Sequence, residues 1–232
     1  MAHKVWHHHG QMSEAFRTVM FLSASGGLQD AYTYIGRGKV FANAQTGNIV
    51  LMSQAAFDGD LSRVLHYLIP LLSFALGVAV AEAIHIRYRE AKRLHWRQLV
   101  LLVEILLLFG VGFIPNTLDL AANALVSFAC AMQVQAFRKV HSYPFASTMC
   151  IGNMRSGMES LVVYFHLQDK KVLHKALHYF GVILLFAFGA GVGAHCVGVF
   201  GNKTIWFSCA LLLVSLCFMF IQDEEEALKE KA

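Results

Sequence analysis

Phe41-Ala42-Asn43-Ala44-Gln45-Thr46-Gly47-Asn48, followed downstream by Phe74-Ala75-Leu76-Gly77, has a second version in the same chain. That version is Phe145-Ala146-Ser147-Thr148-Met149-Cys150-Ile151-Gly152-Asn153, followed by Phe186-Ala187-Phe188-Gly189. The two Gly-Asn turns lie 105 positions apart and the two Phe-Ala-x-Gly elements 112. Two unlike signals recurring in one order at nearly one offset indicate an internal duplication. Each version sits among long apolar runs. A duplicated membrane segment of this kind points to a transporter-like architecture.

Composition agrees. Hydrophobic residues make up 56% of the 232 residues, charged residues 15%, and the mean hydropathy is +0.51. Six stretches approach the length needed to cross a bilayer core of ~30 Å at ~1.5 Å per residue. They run over 17–35, 64–86, 98–114, 120–137, 172–197 and 204–221. So many apolar runs would leave a soluble core without enough polar surface to cover it. The expectation is an all-α integral membrane protein of six transmembrane helices, with the lipid bilayer as its surroundings.

The net charge of +4 does not indicate a nucleic-acid partner, because the basic residues cluster between the apolar runs. With the amino terminus cytoplasmic, only Arg37, Lys39, Arg63 and Lys203 fall outside, and the other fifteen of the 19 lysines and arginines fall inside. This positive-inside bias predicts a multi-pass protein of the bacterial inner membrane with both termini cytoplasmic. Trp96 and Trp206 open the third and sixth runs, where indole rings anchor at an interface. Residues 1–11 are polar and His-rich and carry no signal-peptide pattern.

Three spans per copy is an odd number, so the second copy enters the membrane inverted relative to the first. The expected parts are a tail over 1–15, a first repeat over 16–114, a second over 115–222 and an acidic tail over 223–232. Between the first two spans of each copy the chain breaks, at Gly36–Gly38 and at His141-Ser142-Tyr143-Pro144. Each Gly-Asn turn then leads into a short helix, over 49–57 and 154–165, with Thr or Asn near its cap. About a dozen helical residues span only ~18 Å, so each short helix is expected to be a half-helix or re-entrant segment. A helix lying along the interface is the other option. Non-helical backbone at that depth is tolerated only beside protein or a water-filled cavity.

At these residues the chain resembles the YoaK-type family, uncharacterised bacterial inner-membrane proteins carried as a domain of unknown function. The resemblance rests on Gly27-Leu28-Gln29-Asp30-Ala31, on the 41–48 stretch and on Ile151-Gly152-Asn153-Met154-Arg155, and covers about residues 16–222. Members more often carry Thr-Gly-Asn in the second copy too, so Ile151 departs from the pattern. The resemblance implies a six-helix membrane protein and no established substrate.

Candidate residues follow from cost. Asp30 lies inside the first span, where a carboxylate faces a cavity or a partner, or caps a local backbone break. The 105 offset pairs it with Gln135. Asn43, Thr46, Gly47 and Asn48, with Thr148, Gly152, Asn153 and Arg155, would line a solute cavity if the short helices meet. Helix amino termini attract anions there. Arg155 would strengthen that attraction, or would pair with Glu159 one turn away. Glu104 interrupts an apolar run, as a proton-coupling group beside Asp30 or as a carboxylate snorkelling to the interface. No phosphate loop, nucleophile motif or ligand-spaced cysteine set appears, so no enzyme, cofactor or metal is expected.

The functional expectation is a secondary transporter or permease for a small polar solute, anions included, working by alternating access around two facing half-helices. The alternatives are a channel-like pore and a non-transporting scaffold or membrane-embedded enzyme. Three spans per copy also allow a homodimer that braces the moving unit.

Overall fold

In the computed structural model, residues 11–88, 95–137, 139–140, 143–144 and 148–231 are described. The apolar runs form helices. α1 spans Gln11–Gly36, α2 Gln45–Phe57, α3 Leu61–Tyr88 and α4 Trp96–Val111. After a 3-10 turn at Asn116–Leu118 come α5 (Asp119–Ala136), α6 (Cys150–Leu167), α7 (Lys170–Phe200), a 3-10 turn at Gly201–Thr204, and α8 (Ile205–Lys231). A two-residue antiparallel pairing of Lys139–Val140 with Tyr143–Pro144 lies between α5 and α6.

Among the described residues, three helical segments are long and apolar enough to cross a membrane: Leu61–Tyr88, Asn116–Ala136, and Lys170–Phe220, which holds both α7 and the first part of α8. The surface of the molecule is consistent with lipid. Phe57, Ile151, Leu184 and Phe188 are exposed, while Ser23, Gln29, Asn123 and Ser127 are buried. Large apolar side chains outside and small or polar ones between helices is how membrane helices associate, because lipid removes the hydrophobic drive between them.

The short helices differ from expectation at their starts. α2 begins at Gln45 and α6 at Cys150, so Thr46, Gly47, Asn48, Gly152 and Asn153 lie in first turns instead of preceding them. The N-cap positions are Ala44 and Met149, and neither provides a side-chain cap, so no Thr or Asn serves there. α6 is 18 residues long, longer than the 154–165 estimate. Trp96 also differs: it is 8% exposed and packs on His85 of α3, ring centroids 4.3 Å apart, instead of standing free at an interface.

The helices pair across the two halves of the chain. α1 packs mainly on α7 and α8, and α5 mainly on α3 and α4. α2 packs on α3 as α6 packs on α7, and α4 meets α8. The duplicated glycines explain the tightest crossings. A Cβ at Gly77 would overlap the carbonyl oxygen of Phe128 and stand 2.8 Å from Ala131 Cβ, and one at Gly189 would overlap the carbonyl oxygen of Ala24. A Cβ at Gly27 would likewise overlap the carbonyl oxygen of Phe186, and one at Gly193 would stand 3.0 Å from the Leu28 backbone.

A second tie closes the far end of α1. Arg37 is fully buried, donates from Nη1 to Asp119 Oδ1 (2.8 Å) and from Nε to Tyr32 Oη (2.8 Å), and reaches the carbonyl oxygens of Val111 and Ile114. Asn123 Nδ2 donates to the Arg37 carbonyl (2.6 Å). One side chain thereby joins α1, α4 and α5.

Gly77→Ala and Gly189→Ala should each cost about 1–3 kcal/mol by overpacking, read as a lower apparent Tm in detergent, whereas Gly191→Ala, which meets nothing, should not. Arg37→Ala leaves Asp119 without its ion-pair partner and Tyr32 Oη without its donor, while the Val111 and Ile114 carbonyls keep the Ile114 N–H and Asn202 Nδ2. It should cost about 3–5 kcal/mol in the same assay.

Candidate functional site

The first Gly-Asn turn is a clasp built from its own side chains. α1 stops at Gly36, and Gly38 (φ 84°) and Lys39 (φ 66°) reverse the chain in the left-handed region. His66 of α3 holds the reversal through Nε2 to the Gly38 carbonyl (2.7 Å). Asn48 Oδ1 then accepts from the Phe41 N–H (2.9 Å) while its Nδ2 donates to the Phe41 carbonyl (2.7 Å). A side-chain amide thus pairs with a backbone residue as a neighbouring strand would. Asn48 Nδ2 also donates to Gln45 Oε1 (2.9 Å), and Gln45 Nε2 to the Ala42 carbonyl (2.8 Å). The Phe41 ring stacks on Tyr34 (4.4 Å between centroids) and lies against Gly47, where a Cβ would stand 2.9 Å from it. Only glycine fits beneath that ring.

Asp30 anchors this clasp to α1. Its Oδ1 accepts from the Asn43 N–H (2.6 Å), and the carboxylate faces the N–H groups of Ala42 and Ala44. Asn43 Nδ2 donates to the Gly26 carbonyl (3.2 Å), and its Oδ1 is buried without a partner. Asp30 therefore acts here as a cap for a backbone break as well as a cavity residue.

The second turn arrives on the other side of Gly26. Thr148 is 9% exposed, and its methyl carbon fills the space that a Cβ at Gly26 would need. Between the two turns lies a cavity of about 660 Å³. Asn43, Ala44, Gln45 and Thr46 line it from the first copy, and Thr148, Met149, Cys150, Ile151 and Gly152 from the second. Phe74 of α3, Phe186 and Ala190 of α7, and Asp30, Tyr34 and Ile35 of α1 complete the wall. The wall is mainly apolar and aromatic, with Asp30 its one acidic residue and no lysine or arginine in it.

Other expected residues lie elsewhere. Asn48 and Asn153 are buried behind the wall, and Gly47 is taken up by the Phe41 ring. Arg155 is exposed and not part of the cavity. Gln135 is outside the cavity lining and donates from Nε2 to Glu82 Oε2, and Glu82 Oε1 lies 3.3 Å from His85 Nδ1. The packing explains why Gln135 does not match Asp30. Gly77 on Phe128 and Gly189 on Ala24 align α5 with α1 at an offset of 104, one less than the turns suggest. At that offset Ser23 matches Ser127, Gln29 matches Gln133, and Val134 stands where Asp30 stands in α1. One residue turns a helical side chain by about 100°.

Glu104 does not snorkel. It is fully buried, and its Oε1 accepts from Gln29 Nε2 (3.3 Å). Gln29 Nε2 also reaches Ser25 Oγ (3.0 Å) and Ser208 Oγ (2.8 Å), while Cys130 Sγ donates to Gln29 Oε1. Glu104 Oε2 has no partner. This cluster joins α1, α4, α5 and α8, and sequence reasoning missed Ser25, Gln29, Cys130 and Ser208. The one local signal was Ser25 and Gln29 sharing a helix face four residues apart.

Residues 18–218 match the family described as "Protein of unknown function (DUF1275)". The chain belongs to that family. It is 27% identical over 209 residues to the UPF0700 transmembrane protein YoaK of Bacillus subtilis (strain 168), covering 85% of this chain and 92% of that protein. No solved structure matches.

Asn48→Asp removes the donor to Phe41 and Gln45 and buries a charge in its place. It should lower stability by at least about 1–3 kcal/mol in thermal unfolding, whereas Thr46→Val, at an exposed position, should leave the melting temperature within a degree or so.

Proposed function

We propose that this membrane protein is a secondary transporter or permease for a small polar solute, anions included, bound between the two Gly-Asn turns. The observation that carries the reading is one cavity lined by matched positions of both copies. Asn43 faces it with Thr148, Gln45 with Cys150, Thr46 with Ile151, and Phe74 with Phe186. A cavity shared this way lies close to the axis relating the two copies. Rocking one copy against the other would then move its two mouths in opposite senses.

The cross-paired helices support the same architecture of six spans in two inverted three-helix repeats. Exchanging α1–α4 with α5–α8 carries the α1–α7 contact onto α5–α3 and the α2–α3 contact onto α6–α7. α2, at 13 residues, covers about 20 Å and is too short to span. The distribution of lysine and arginine favours an inner membrane with both termini inside.

Asp30 and Glu104 are the two groups suited to carry a coupling proton. They are linked through α1, since Gln29 contacts Glu104 and the next residue, Asp30, faces the cavity. A shift of α1 alters both environments together.

The test is single-cysteine labelling at Thr46→Cys and Ile151→Cys in a background without the native thiols. Water-soluble reagents should reach these sites, from opposite sides of the membrane in different states, and a transported solute should slow the reaction. If both sites stay unreactive from either side while the protein remains folded, the polar wall is sealed and transport through it is excluded.

A further inference from the structure

The two turns differ in one respect that bears on the solute. In the first, the protein supplies its own carboxylate. Asp30 accepts from Asn43 N–H and faces Ala42 and Ala44, so the backbone donors ahead of α2 already have an anion. The donors of the α2 start are also used locally, from Gln45 to the Asn43 carbonyl (2.8 Å) and from Gly47 to the Ala44 carbonyl (2.9 Å). In the second, no acid stands at the matched position. Val134 stands at the matched position, and the acid in α5, Asp119, lies at the opposite end of that helix.

α6 nevertheless begins at the cavity wall. Its N-cap Met149 provides no side-chain acceptor, and the first-turn residues Cys150, Ile151 and Gly152 line the cavity. An α-helix leaves its first N–H groups without internal partners and carries about half a positive charge there. Thr148 supplies a second, independent sign. It lines the cavity, is buried to more than nine-tenths, and among the described residues its hydroxyl has no hydrogen-bond partner. A hydroxyl without a protein partner, on a residue that lines the cavity, is free to donate to a ligand there. The Asp30 carboxylate is turned onto the 42–44 backbone, whereas the start of α6 has no side-chain acceptor at its N-cap.

We propose that the start of α6, with the Thr148 hydroxyl, binds the anionic group of a small amphipathic solute, which takes the place that Asp30 fills in the first copy. The bound group is a carboxylate or phosphate, and the body of the solute rests on Tyr34, Phe74 and Phe186. This rests on the transporter reading for its biological use, but the binding stands or falls by itself.

The test uses the full-length purified protein and three isosteric probes: benzoate, benzylamine and benzyl alcohol. Benzoate should raise the melting temperature with concentration, as binding to the folded state requires, and the other two should not. Met149→Asp places a carboxylate at the N-cap of α6. It should raise the melting temperature of the free protein and weaken benzoate binding at least tenfold. Thr148→Val should weaken benzoate about tenfold, and it serves as the measure if Met149→Asp does not fold. Equal stabilisation by benzylamine or benzyl alcohol, undiminished benzoate binding in these variants, or no response to benzoate, lactate or phosphate would overturn the proposal. In nanodiscs, competition between phosphatidylglycerol and benzoate would assign the anion to a lipid headgroup, and its absence would assign it to a free solute. Benzoate binding without uptake of any anion into proteoliposomes would sink the transporter reading alone.

Discussion

Close backbone contact at glycine is the constraint on which this structure depends. In lipid there is little to gain by hiding apolar side chains between helices, so association rests on how near two backbones can come. Gly27, Gly77, Gly189 and Gly193 provide that approach, Gly77 and Gly189 at matched positions of the two halves. Gly77 seats α3 on α5, and Gly189 seats α7 on α1. Each half of the chain thereby grips the other's first helix. The same seating brings Phe74 and Phe186, three residues before those glycines, to opposite sides of one cavity.

Within that frame the polar side chains divide into those already committed and those facing open space. Asn48, Gln45 and Asp30 spend hydrogen bonds on the backbone of 41–44, and Arg37 spends its guanidinium on four partners at the end of α1. These are the groups that let irregular backbone exist among helices, where an unmade hydrogen bond is expensive. Thr46 and Thr148 face the cavity from the two turns. The motif Thr-Gly-Asn therefore has separable roles: Asn48 closes the turn, Gly47 makes room for Phe41, and Thr46 is presented outward.

α1 connects two polar regions that are remote in sequence terms. Asp30 looks into the cavity and Gln29 into the buried cluster with Ser25, Glu104, Cys130 and Ser208. Successive residues on a helix point about 100° apart, so one helix can serve two sites on different faces. A buried network with a carboxylate oxygen left over is an expensive arrangement, and it ties four helices to one another.

The sequence alone determined the helical segments, the chain breaks at Gly36–Gly38 and before α6, and that Asp30 and Glu104 are carboxylates set within apolar helices. These rest on local properties: apolar length, glycine placement, and the cost of charge in lipid. It could not decide which polar residues were spent. Arg37 looked like a loop charge until Asp119, 82 residues away, was found beside it. Gln135 looked like the partner of Asp30 until packing set the helix offset one residue shorter, which turned it toward Glu82. Hydrogen-bond partners come from distant segments, and a single residue of register reorients a helical side chain, so only the packed helices could assign them.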